Sequence, residues 1–104
     1  MNLPNVIADL TKAQNNFDST AYSNCFTETA IVFDEGKTHK GKKEIRKWIE
    51  KSNKTYKTEM KPIEFSAAEN ILTAKISGTF PGSPLTLSYR FEFKDGQIQS
   101  LEII

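Results

Sequence analysis

The stretch LTLSYRFEFKDGQ, residues 85–97, constrains this chain more than any other. For ten residues apolar and polar side chains alternate strictly, with Leu85, Leu87, Tyr89, Phe91 and Phe93 on one side and Thr86, Ser88, Arg90, Glu92 and Lys94 on the other. A strand turns successive side chains to opposite faces, so this pattern requires a sheet with one buried and one wet face. Asp95-Gly96 then predicts a tight hairpin into a last strand, Gln97 to Ile104. The same alternation runs from Asn70 to Phe80, with Leu72, Ala74, Ile76, Gly78 and Phe80 facing one way. A further strand is expected from Thr58 to Ala67, where Pro62 interrupts the ladder and marks an edge or a bulge.

The first half of the chain has a different period. Leu3, Ile7, Leu10, Gln14 and Phe17 recur at helical spacing and predict an amphipathic helix over residues 4–15. Asp18 or Ser19 can cap a second helix, residues 19–26, that buries Tyr22, Cys25 and Phe26. Thr27-Glu28 separates it from a strand, Ala30 to Glu35. Gly36-Lys37 supplies turn chemistry before a short return through Thr38 and His39. Gly41 precedes a third helix, residues 42–56, with Ile45, Trp48, Ile49, Ser52 and Tyr56 on its inward stripe. Helices followed by an antiparallel meander predict one α+β domain over residues 1–104 with helices packed on one sheet face.

Charge excludes some function classes. Fourteen basic against thirteen acidic residues leave a net charge of +1, too little to gather nucleic acid or an anionic membrane. The basic run Lys37 to Lys47 is broken by Glu44 and reads as a solvated face. One cysteine and one histidine give neither a disulfide nor a zinc-type cluster, so no metal and no cofactor is expected. There is no long apolar run, and the expectation is a soluble, unprocessed, cytoplasmic protein.

One acid stands out. Asp34 follows Ala30-Ile31-Val32-Phe33 and shares a strand face with Ala30 and Val32, a face that looks into a core. A carboxylate in apolar surroundings is disfavoured in its charged form, which suits it to accept and return a proton. The alternative is that Asp34 caps the turn that follows it. Tyr22, Trp48, Phe65 and Phe91 read as pocket walls or as ordinary core, whereas His39 reads as a residue of an exposed basic hairpin.

Several runs together resemble a known superfamily: Asp18-x-x-x-Tyr22-x-x-x-Phe26, Phe26-Thr27-Glu28-x-Ala30-x-Val32-x-Asp34, Gly41-x-x-x-Ile45-x-x-Trp48, and the terminal hairpin from Tyr89 to Ile98. The order and spacing resemble the nuclear transport factor 2-like superfamily, and within it the SnoaL-like proteins and ketosteroid isomerase. The resemblance implies a cone, a strongly curved antiparallel sheet with three helices on its concave face, and commonly a homodimer paired through the outer sheet faces. It also implies that Asp34 stands where the isomerases carry their proton-shuttling carboxylate. Tyr89 stands near the position of their oxyanion donor. Leu10 occupies the first-helix position where those enzymes carry an oxyanion tyrosine.

Two classes of function follow. The first is a cofactor-independent isomerase, dehydratase or cyclase acting on a small hydrophobic carbonyl compound. Asp34 would be its proton acceptor and Tyr89 its donor, with Leu10, Tyr22, Val32, Trp48, Phe65 and Phe91 around the substrate. The second is a small-molecule-binding module, or a structural dimer whose pocket is vestigial.

Overall fold

The computed structural model describes residues 2–104; of the domain expected over 1–104, only Met1 lies outside the described residues. Three helices, α1 (Asn5–Asn15), α2 (Ser19–Ser23) and α3 (Gly41–Tyr56), cover a sheet of six strands. The strands are β1 (Phe26–Asp34), β2 (Lys37–Lys40), β3 (Glu59–Ser66), β4 (Ile71–Ser77), β5 (Leu85–Lys94) and β6 (Gln97–Ile103), in spatial order β2-β1-β6-β5-β4-β3. The curved, open sheet with helices on one side gives the expected α+β cone.

The sheet is mixed, a correction to the antiparallel expectation. β3 to β6 and the β1–β2 hairpin pair antiparallel, but β1 runs parallel to β6. The reason is the long crossover: a chain that leaves β1, makes α3 and meanders through β3, β4 and β5 returns β6 beside β1 in β1's own direction. Alternation within a strand cannot reveal this, because it reports the face and not the partner.

β1 starts at Phe26, four residues before the expected Ala30, and α2 is correspondingly shorter. A register shift against β6 between Phe26 and Ile31 absorbs the extra residues, and Phe26 and Ala30 lie inward while Glu28 between them stays in solvent. Asp18 caps α2, its Oδ1 accepting from the Ala21 N–H at 3.0 Å. The predicted interruption at Pro62 is a second register shift, between Pro62 and Glu64, on edge strand β3.

Phe26, Phe91, Ile7, Leu10, Ile45, Leu72, Ile98, Leu101 and Val32 are fully enclosed between the helices and the concave face. Each contributes about 1.5–3 kcal/mol relative to exposure. A polar clasp joins the ends of α1 and α3: Gln14 Nε2 donates to Asn53 Oδ1 at 3.0 Å and to Thr58 Oγ1 at 2.6 Å. Asn15 exchanges two bonds with the Met60 backbone.

Candidate functional site

The strand register gathers the candidate residues. Val32 lies beside Leu101, and Leu101 beside Phe91. One step outward, Phe33, Glu102 and Arg90 form the next row, which faces solvent. A further step brings Ile103, Tyr89, Leu72 and Phe65 into line across four strands, again on the concave side, and Asp34 ends β1 one residue past the Phe33–Glu102 pair. With β6 between β1 and β5, the strands that carry Asp34 and Tyr89 are two spacings apart, about 10 Å. Asp34 is therefore inward-facing, as the alternation requires.

The helices close this row from above. Trp48 of α3 is partly buried against the core, and its ring meets Tyr22 of α2 edge-on, with centroids 6.2 Å apart. Tyr22 in turn leans on Phe26 at 5.6 Å. Burial pushes the Asp34 carboxyl above its ordinary range and the Glu35 charge adds to this, while His39 and hydrogen bonding by the Trp48 side chain oppose it. No lysine or arginine is ion-paired with Asp34 among the described residues. Burial also drives the Tyr22 phenol far up, with Tyr89, Cys25 and Asp34 adding to the effect. Tyr89 is likewise driven up, by burial first and then by Asp34. Both phenols stay protonated, and both feel the same carboxylate. Neither hydroxyl is bonded to another protein group among the described residues.

His39 is a correction. The two-residue turn is centred on Glu35 and Gly36, both at positive φ (52° and 75°), one residue earlier than Gly36-Lys37. That register pairs Asp34 with Lys37 and Val32 with His39, so His39 faces inward beside Val32. Its ring stacks on Trp48 with centroids 5.1 Å apart and planes at 25°. The signal was present in the sequence: Glu-Gly is a usable type I′ pair, and a one-residue slip in the turn sends every following side chain to the other face.

The other candidates are placed as follows. Leu10, Val32 and Phe91 are enclosed core residues, and Phe65 is partly buried on edge strand β3. The second hydroxyl at the carboxylate comes from Tyr22 on α2, while the first helix offers Leu10. Two cavities lie elsewhere. One, of about 600 Å³, runs between α1, α2 and the β5–β6 turn, bordered by Val6, Asp9, Ala13, Asp18, Cys25 and Gly96. The other, about 160 Å³, is on the outer sheet face around Phe33 and Arg90. Asp34, by contrast, is half-buried, with the buried phenols of Tyr22 and Tyr89 near enough to feel its charge. The larger cavity is a surface groove whose Cys25 thiol is pushed by burial up to about 11 and so stays protonated. Among the described residues no group of three or more His, Cys, Asp or Glu could hold a metal.

Comparison with solved structures decides the family. A candidate polyketide cyclase from Sinorhizobium meliloti shares 38% of its residues with this chain, covering 98% of this chain and 95% of its own, with a TM-score of 0.91. The chain belongs to the nuclear transport factor 2-like superfamily, as a SnoaL-like protein. More distant structures share the fold of this SnoaL-like domain alone. One is a protein of ketosteroid isomerase-like fold from Catenulispora acidiphila, in complex with trimethylamine, at 15% identity and TM-score 0.86, covering 99% of this chain and 86% of its own. Another is SalBIII, an epoxide hydrolase/cyclase-like enzyme with a role in pyran ring formation in the polyether salinomycin, at 21% identity and TM-score 0.76, covering 96% and 87%. No protein-family model and no curated protein matches the chain. Among the described residues no helix is long and apolar enough to cross a membrane.

Proposed function

We propose that this SnoaL-like protein acts on a small, mostly hydrophobic carbonyl compound without a cofactor, as an isomerase, dehydratase or cyclase. Asp34 takes a proton from the carbon next to the carbonyl, and the electron pair of that C–H bond moves into an enolate. The Tyr89 and Tyr22 hydroxyls donate to the oxygen that becomes negative, and Trp48 walls the site. The observation that carries this reading is a half-buried carboxylate, with no ion-paired lysine or arginine among the described residues and raised above its ordinary range, near the buried phenols of Tyr89 on β5 and Tyr22 on α2. The 38% identical candidate polyketide cyclase and the isomerase-like neighbour agree with it in kind.

A second reading, a binding module or a dimer with a filled pocket, is favoured by one observation. Leu10, Val32 and Phe91 are wholly enclosed, and the two cavities do not reach Asp34. Carbon-bound proton exchange into deuterium oxide, followed by NMR over a panel of enones and keto acids, separates the two. The enzyme reading expects Asp34→Asn to lose roughly 10²–10⁴-fold in rate, and Tyr89→Phe on the order of 10²-fold. The wild-type rate should climb with pH as Asp34 ionises, with its acid limb above the ordinary carboxylate range, and should hold on the alkaline side because both phenols are raised. Equal rates for wild type and Asp34→Asn would remove Asp34 from catalysis, and no exchange by either would favour the binding module.

We also propose a homodimer formed through the outer sheet face, where Phe33 is 41% exposed beside the Arg90–Glu102 ion pair. Light scattering at micromolar concentration should give twice the chain mass; a monomer mass would contradict it.

A further inference from the structure

His39 has no part in the reaction just described, yet the fold directs it to the same spot. The β1–β2 register sets it directly across from Val32 on the concave face, diagonal to Asp34. Diagonal neighbours of an antiparallel pair lie about 7–8 Å apart, within reach of an aromatic side chain. The imidazole lies on the indole of Trp48 with centroids 5.1 Å apart and planes at 25°, and this stack limits where the imidazole can go.

We propose that His39 is the counter-charge of the site, a positioning residue whose imidazolium, laid flat on Trp48, holds the Asp34 carboxylate in its ionised, proton-accepting form. This rests on the reading of Asp34 as the proton acceptor. The other charges nearby do not fill that role. Glu35, next in the turn, pushes Asp34 the opposite way. Lys37 stands across from Asp34 but is exposed, where water and salt screen its charge, and Lys40, across from Ile31, is exposed on the outer side of the strand. Lys42 is engaged with Glu28 at 3.6 Å. From α2 and β5 the facing groups are Tyr22 and Tyr89, which stay neutral. His39 alone is the charge that lowers Asp34. An imidazolium over an indole face is in addition held by the ring's quadrupole.

The experiment is a carbon-detected NMR titration of the Asp34 carboxyl, identified by the signal that Asp34→Asn removes. It compares wild type with His39→Phe, which keeps a ring on Trp48 without charge, and His39→Gln, which keeps polarity without either. An amide spectrum of each variant verifies the fold. The expected result is an upward move of the Asp34 midpoint in both variants, smaller in high salt because screening weakens the pairing in wild type. An unmoved midpoint in either variant would overturn the proposal, and a shift in Gln but not in Phe would assign the effect to the stack. The titration needs no substrate, so it reads the pairing apart from proton transfer. A coupled pair with no exchange activity would fault the catalytic reading only.

Discussion

Asp34 is a group placed against its own solvation. Because its folded carboxyl is raised above the unfolded value, it contributes stability only below the ordinary carboxylate range. That contribution is lost as pH rises through the folded value. At neutral pH the ionised side chain is thus a cost to the fold. Asp34→Asn, which removes the charge and keeps the shape, should raise the melting temperature by a few degrees at pH 7–8 and leave it unchanged near pH 3, a pattern that thermal unfolding at the two pH values checks. A stabilising substitution at a residue needed for activity is what a functional site predicts. The acid itself was legible from the alternation Ala30, Val32, Asp34. Its neighbours Tyr22, Trp48 and Tyr89 come from three elements whose meeting point no local pattern encodes, and only the family resemblance set them around one site.

At the scale of elements, short pieces carry much of the site. α2 is a five-residue helix, too short to be stable alone, yet it positions Tyr22. Its cap matters accordingly. Asp18→Ala should cost about 1 kcal/mol in urea unfolding through the lost bond to the Ala21 N–H, and should perturb Tyr22 resonances more than those of Tyr89. An unchanged stability would show that packing of Tyr22 and Phe26 alone fixes the corner. The β1–β2 turn shows where reading by residue type stops. Asp95-Gly96 and Glu35-Gly36 both turn with two positive φ angles, 52° and 78° in the first and 52° and 75° in the second. The first is preceded by ten residues of strict alternation, which mark where β5 ends. The second is followed by only four residues of polar strand, Lys37-Thr38-His39-Lys40, with no apolar pattern to pin it. His39 was misplaced for that reason. The same limit applies to β1, whose polar Thr27-Glu28-Thr29 stretch lacks alternation and is strand only because β6 lies beside it.

For the molecule as a whole, the helices of the first half and the meander of the second were legible because each is periodic over many residues. The parallel β1–β6 junction was not, since it joins segments some seventy residues apart, Val32 with Leu101 and Phe33 with Glu102. That junction ties the β1–β2 hairpin to the meander, and it sets the strand of Asp34 two places from that of Tyr89. The molecule presents two candidate places for a ligand: this concave row, and the groove of about 600 Å³ between α1, α2 and the β5–β6 turn. Trp48 is the chain's only tryptophan, so its indole N–H gives one isolated resonance that belongs to the first place and not to the second. Following that resonance, with the amides of Tyr22 and Tyr89, while a small cyclic enone is titrated into the protein tests the site most directly. The account predicts that these signals move together and saturably, with the amides of Asp9, Ala13 and Asn24 unmoved. Shifts confined to Asp9, Ala13 and Asn24 while the Trp48 indole stays still would contradict it.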